Sequence, residues 1–313
     1  MNNYPLHNKL NNTSRIVYGC MGLGGDWNSS TYDANDVKKA QIAIDAALDN
    51  GIKQFDHADI YTGGKAEKVF GEVLKQRPEL KQQISTQSKC GIRFHDETAP
   101  GRYDFSKSWI IKSVEGILSR LGLEQIDALL LHRPDPLMEP EEVASAFEQL
   151  TMQGKVKEFG VSNMNHHQIE YLNSNLKQPL VINQLELSLS ELNWLEDGVT
   201  SVCSGFPSAN FTTGTLEYCR KHNIQLQSWG CMSQGLFTGS ANGEKLQQQP
   251  EHVQKTIKLV EHLANEYSVS KEAIVLAWLM RHPLKMQPVI GTTNPTRIQN
   301  CAQAYKIELT REH

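Results

Sequence analysis

Three polar residues of different chemistry close or follow short strand-like runs: Tyr61, Lys89 and His132. Tyr61 lies in Phe55-Asp56-His57-Ala58-Asp59-Ile60-Tyr61, and Lys89 ends Ile84-Ser85-Thr86-Gln87-Ser88-Lys89. His132 ends Ile126-Asp127-Ala128-Leu129-Leu130-Leu131-His132. A phenol, an ammonium and an imidazole gathered at strand ends can deliver a proton to a carbonyl oxygen. The phenol alone is a weak acid, and a nearby cation favours its phenolate, so Lys89 is expected to lower the Tyr61 pKa. Asp56 is placed to pair with Lys89 and hold it. Taken singly, each has a plainer reading: a salt-bridge aspartate, a surface tyrosine, a solvated lysine, a near-core histidine. Their joint spacing argues for catalysis.

Such residues meet only if a scaffold carries successive strand ends to one rim. Strand-like runs fall near 15–19, 52–56, 84–89, 126–131, 157–161, 181–184, 224–229 and 287–290. Helical patterns lie between them near 35–50, 66–76, 106–121, 140–153, 165–176, 212–222 and 294–304. The interval from 229 to 287 holds two more, near 251–267 and 270–282. This alternation is the signature of parallel βα units. Pro140 suits a first helical turn and Gly154 a stop; Ser270 suits an N-cap and Pro283 a terminator. The leading fold is therefore an α/β protein, a (β/α)8 TIM barrel, with residues 1–313 as one domain. A doubly wound open sheet is the runner-up. Gly19, Gly22, Gly24 and Gly25 come too early for its dinucleotide fingerprint and open no helix, which counts against it. Residues 190–215 read as a long polar connection, and loops of that length are usually functional or mobile.

In such a barrel the functional groups gather at the C-terminal ends of the strands. Polar or aromatic residues stand at almost every one: Asp56 and Tyr61, Lys89, His132, Ser162-Asn163, Gln184, Trp229 and Gly291-Thr292-Thr293-Asn294. Composition narrows the setting. With 39% hydrophobic and 21% charged residues, the 313-residue chain fits an ordinary globular protein. A net charge of -4 gives no general reason to bind nucleic acid or an anionic membrane. No apolar run is long enough to span a bilayer, and Met1-Asn2-Asn3-Tyr4-Pro5 lacks the features of a signal peptide. Six scattered cysteines without a Cys-x-x-Cys pair read as reduced thiols, so a cytoplasmic location is expected.

Together these motifs resemble the aldo/keto reductase family of NADPH-dependent barrel enzymes, from about Arg15 to the end of the chain. The family's Asp-x-Ala-x-x-Tyr stands here as Asp56 to Tyr61, its lysine as Lys89 in Ser88-Lys89-Cys90-Gly91, and its histidine as His132 in Leu131-His132-Arg133-Pro134. Gly160-Val161-Ser162-Asn163 matches a further stretch. The resemblance implies reduction of an aldehyde or ketone by hydride transfer from NADPH. In that scheme Tyr61 is the proton donor, Lys89 and His132 stabilise the developing charge, and Asp56 orients Lys89. It implies that Ser162, Asn163 and Gln184 bind the nicotinamide carboxamide and that Trp229 stacks on the ring. The segment after Trp229, with Gly230, Met232, Ser233 and Gly235, would follow the pyrophosphate. Gly291, Thr292, Thr293 and Arg297 would meet the adenosine 2′-phosphate. Gly19, Cys20 and Met21 are the expected cofactor contacts after the first strand, and Trp27 the expected aromatic wall for a small carbonyl substrate.

Two rivals stand beside this reading. A metal-dependent hydrolase would use Asp56, His57, Asp59 and His132 as ligands, but Lys89 is awkward beside a metal cation, so no metal is expected. The other is an NADPH-binding regulatory or redox-sensing subunit with little turnover, which the family resemblance includes.

Overall fold

The computed structural model describes residues 4–97, 99–200, 211–240 and 242–313. In chain order the strands are β1 (Val17–Gly19), β2 (Gln54–Asp56), β3 (Ser85–Cys90), β4 (Ile92–Arg93), β5 (Arg102–Tyr103), β6 (Ile126–Leu131), β7 (Val156–Ser162), β8 (Ile182–Glu186), β9 (Gln225–Trp229) and β10 (Gln287–Ile290). Eight of them close a barrel in the order β1-β10-β9-β8-β7-β6-β3-β2, every pair parallel. All eight expected strand runs therefore form staves, and the open sheet is excluded. The remaining two, β4 and β5, make a small antiparallel hairpin at the barrel rim that the sequence reading did not contain.

The helices are α1 (Ala34–Asp49), α2 (Lys65–Gln76), α3 (Lys107–Leu121), α4 (Pro140–Met152), α5 (His166–Asn173), α6 (Asn193–Thr200), α7 (Thr215–Lys221), α8 (Gly243–Gln247), α9 (Glu251–Glu266), α10 (Lys271–Arg281) and α11 (Pro295–Ala302). Local chemistry fixes their ends. Asp33 and Asp36 form a capping box at α1, Pro140 opens α4, and the Ser270 hydroxyl accepts the Ala273 amide at the start of α10. Gly154, at φ +67°, turns the chain after α4. The expected loop at 190–215 is corrected in part: its first section carries α6, whose short polar sequence gave no helical signal. Residues 201–210 of that connection, with Cys203, lie outside the described part of the chain.

The barrel wall separates two cores. Leu129 and Leu131 of β6 face the helical shell, while Ala128 and Leu130 face inward, as alternation requires. Inside, the N-terminal segment seals the mouth at the strands' N-terminal ends: Tyr4, Leu6 and Leu10 pack on Ala128, Leu130, Val181 and Ile182. Above this plug the interior turns polar, with Gln54, Gln87, Gln184, Gln227 and Gln287 all buried. The opposite mouth carries the candidate functional residues. Among the described residues no helix is long and apolar enough to cross a membrane.

Candidate active site

Asp56 is the last residue of β2, and the β2–β3 ladder continues past it: the His57 amide donates to the Gln87 carbonyl at 2.9 Å and the Asp59 amide to the Lys89 carbonyl at 3.0 Å. The chain then turns sharply through Thr62, Gly63 and Gly64, at φ +49°, +65° and +83°. Glycine suits the last two positions because left-handed backbone strains other side chains. This turn folds Tyr61 back over the barrel mouth. Lys89 Nζ, buried at 1% exposure, then donates to Asp56 Oδ2 at 2.7 Å, to the His57 carbonyl at 3.0 Å and to Tyr61 Oη at 3.0 Å. His132 directly follows β6, with its ring edge-on to Tyr61 at 6.1 Å between centroids. The four residues singled out from sequence meet at one point.

Burial governs their ionisation. It would lower the Lys89 ammonium, but the Asp56 charge and the Tyr61 oxygen outweigh it and hold the ammonium above its ordinary range. Burial also raises the Tyr61 phenol, more than Lys89 lowers it, so the expected net depression by Lys89 is corrected. His132 is pulled down to about 2, first by burial and then by the charges of Lys89 and Arg133. Its imidazole is therefore neutral at working pH, and its Nδ1 is buried without a hydrogen-bond partner among the described residues.

Around this group opens a cleft of about 470 Å³. Gly19 and Met21 line it after β1, and Ser162, Asn163 and Gln184 after β7 and at β8. Trp229, Gly230, Met232 and Gly291 complete the expected set that reaches it. The Trp229 indole donates to Asn163 Oδ1 at 3.1 Å, and the Arg133 guanidinium lies 5.6 Å from the centre of its ring. Asn163 Nδ2 donates to the His132 carbonyl at 3.1 Å and to Ser162 Oγ at 2.8 Å. Cys20, Ser233, Gly235, Thr292, Thr293 and Arg297 do not line the cleft. The Cys20 thiol is fully buried and donates to the Tyr18 carbonyl at 3.7 Å. Ser233 and Gly235 flank Gln234, a lining residue, in left-handed backbone at φ +45° and +85°. Thr292 and Thr293 continue from Gly291, and Arg297 stands exposed in the first turn of α11, which Asn294 caps. Trp27, half exposed in the loop before α1, also lies outside the lining.

The residues of the rival metal site do not converge. Asp56 faces the barrel interior and His57 packs edge-on against Phe70, at 4.6 Å between centroids. Burial pulls the His57 imidazole down to about 3. Asp59 faces the helical shell beside Ser113, Glu67 and Arg120.

That outer group escaped sequence reading. Glu67 of α2 is fully buried; it accepts from Arg120 Nε and from Ser88 Oγ, each at 2.7 Å. It thereby ties α2 and α3 to the residue preceding Lys89. The five interior glutamines were missed as a set also. Their signal was present, since an amide within each of five strand runs of a barrel is buried and so demands a partner.

Comparison with known proteins agrees with this geometry. The 6-dehydroglucose reductase of Agrobacterium fabrum (strain C58 / ATCC 33970) is 34% identical over 317 residues, covering 100% of this chain and 95% of its own. Oxidoreductase YdhF of Escherichia coli (strain K12) is 34% identical over 301 residues, covering 96% and 90%. Among solved structures, the glycerol dehydrogenase of Gluconobacter oxydans superimposes with a TM-score of 0.77 at 25% identity, covering 96% of this chain and 89% of that one. The Aldo/keto reductase family model matches residues 15–313, and the chain belongs to that family of oxidoreductases.

Proposed function

We propose that the protein reduces an aldehyde or ketone to an alcohol with NADPH, Tyr61 giving the proton to the carbonyl oxygen. The observation that carries this reading is the relay Asp56–Lys89–Tyr61, with links of 2.7 and 3.0 Å, opening into a cleft walled by Trp229. The residues present fit a nicotinamide. Gln184 turns its amide hydrogens toward Asp56 and Gln227, so its oxygen remains to accept from a carboxamide. Gly291 leaves open space where a Cβ would stand. NADPH, when bound, supplies the hydride.

The chain's own groups do the rest. Tyr61 holds its proton into alkaline solution because burial raises it. The Lys89 ammonium stabilises the phenolate left after transfer, and Asp56 keeps that ammonium aimed at Tyr61 Oη. His132, a neutral imidazole, hydrogen-bonds the substrate oxygen without competing as an acid. Arg297 and the Thr292 and Thr293 hydroxyls suit the 2′-phosphate, beside the capped start of α11.

Loss of NADPH absorbance with a panel of aldehydes and ketones tests the reading, and the name of the Agrobacterium relative puts 6-dehydroglucose in that panel. Tyr61→Phe should cut turnover by about 10³-fold while cofactor binding persists. Unchanged turnover in that variant would sink the assignment, and cofactor binding without any turnover by the wild type would point to the regulatory reading. Arg297→Met should weaken NADPH binding about tenfold and leave NADH binding alone, measured by fluorescence titration.

A further inference from the structure

We propose that Gln87 is a positioning residue, the last link of a belt of buried glutamines that locks the Asp56 carboxylate and, through it, the Lys89 ammonium beneath Tyr61. The inference rests on the reductase reading and concerns Gln87, which does not line the cleft.

The belt crosses the barrel between the apolar plug and the active site. Gln287 Nε2 donates to Gln54 Oε1 at 2.9 Å, Gln54 Nε2 to Gln87 Oε1 at 2.7 Å, and Gln87 Nε2 to Asp56 Oδ1 at 2.6 Å. Gln227 joins both ends, donating to Gln287 Oε1 at 3.2 Å and exchanging bonds of 2.8 and 3.0 Å with Gln87. Gln184 Nε2 closes the circuit on Asp56 Oδ1 at 3.2 Å and on Gln227 Oε1 at 2.9 Å.

The sense of these bonds is dictated by charge. An ionised carboxylate only accepts, so Gln87 and Gln184 must present hydrogens to Asp56. The Gln87 oxygen then faces Gln54, which must present its own hydrogens, and the same constraint passes on to Gln287. The amide dipoles of Gln287, Gln54 and Gln87 thus align head to tail toward the carboxylate, an arrangement in which each bond strengthens the next, while Gln227 pairs reciprocally with Gln87. Asp56 has its two oxygens divided: Oδ2 holds Lys89, while Oδ1 is pinned by the belt. Without Gln87 only the longer Gln184 bond of 3.2 Å holds Oδ1, leaving the carboxylate freer to rotate about its Cβ–Cγ bond and carry the Lys89 ammonium off the Tyr61 oxygen.

The test replaces Gln87 in ways that separate positioning from packing. The titratable groups around Asp56 are Lys89 of β3, Tyr61 and His57 of the turn after β2, and Cys20 after β1, with His132 beyond Tyr61 at the end of β6. From β8 it is faced by the neutral amide of Gln184, with the neutral amides of Gln227 of β9 and Gln287 of β10 behind. In Gln87→Glu the new carboxyl keeps the shape of the amide. Protonated, it donates to Asp56; ionised, it cannot donate and repels. The kcat of this variant should approach the wild-type value in acid and fall about tenfold or more as pH rises, a step absent from the wild-type profile. Gln87→Met should lower kcat about tenfold at every pH with the KM for carbonyl little changed. Gln287→Met, equally buried but remote from Asp56, should cost thermal stability with a smaller loss of kcat.

A Gln87→Glu profile superimposable on the wild type would overturn the proposal. So would equal losses of kcat in the two methionine variants, which would show a purely structural role. If Gln87→Met does not fold, the near-isosteric Gln87→Glu variant carries the test. A wild-type protein that turns over no carbonyl would refute the reductase reading itself, an outcome distinct from these.

Discussion

Asp56 and Asp59 lie three residues apart on one turn, yet they occupy opposite sides of the barrel wall. Asp56 points inward and is saturated, taking Lys89 on one oxygen and two glutamine amides on the other. Asp59 points outward into the helical shell, where its Oδ1 is buried with no hydrogen-bond partner among the described residues. Burial and the neighbouring charge of Glu67 push it up to about 7, against partial relief from Arg120. The difference shows that burial alone does not decide how a carboxylate behaves; the supply of donors does. The inner aspartate has a donor for each oxygen and, in the function proposed above, serves the chemistry. The outer one, with Glu67 and Arg120, fastens the turn that carries Tyr61 to the helices behind it.

The largest effect should come from breaking the inner side. Lys89→Met removes the cation that faces both Tyr61 and Asp56, so kcat should drop by about 10²–10³-fold. The same change leaves a buried carboxylate unpaired, at a cost of about 3 kcal/mol in denaturant unfolding. Breaking the outer side should separate these two losses. Arg120→Met strips Glu67 of its counterion and should cost a comparable 3 kcal/mol or so, while kcat of the folded fraction falls only a few-fold. A collapse of kcat there with stability intact would erase the distinction between the two sides.

The smallest effect sharpens the contrast. In the folded chain Asp59 binds its proton up to about pH 7, whereas its ordinary value is 3.8. Between those values the folded state holds a proton that the unfolded state has released, so stability falls as pH rises through that window. Above it the loss is complete; below about pH 4 it vanishes. Asp59→Asn stays neutral throughout and should exceed the wild type at pH 8 by on the order of 1–2 kcal/mol, with no difference near pH 4. Unfolding midpoints at the two pH values decide it, and identical pH dependence in both proteins would show that Asp59 is not the group responsible.

Much of this molecule is legible in its sequence. The β6 run was readable because that strand is covered on both faces and so is largely apolar, as in Leu129-Leu130-Leu131. The tetrad was readable because barrel topology sends every strand end to one rim. What escaped depends on partners far apart in sequence. Glu67 and Arg120 look like ordinary helix-surface charges until α2 and α3 pack together. The glutamines at 54, 87, 184, 227 and 287 look unrelated until the barrel closes around them. The Tyr61 phenol was misjudged because local charge is visible in a sequence and depth of burial is not. Helix α6 escaped for the opposite reason, a short segment with too few turns to show a period.

The plug at the base of the barrel has a consequence for how the chain must be made. The Leu6 amide meets Gln225 Oε1 at 3.5 Å across 219 positions of sequence, and β1 finds its second neighbour only in β10, where Val17 pairs with Val289. During synthesis the Leu6 segment therefore has only part of its seat, Ala128 and Leu130 of β6, until β8 and β9 exist. An incomplete chain ending after β7 presents two unpaired strand edges, β1 and β7, and an uncovered Leu6 between them. Contacts of such separation slow folding and expose adhesive surface while it proceeds. The plug cannot be put away until the ribosome has delivered the chain through β9.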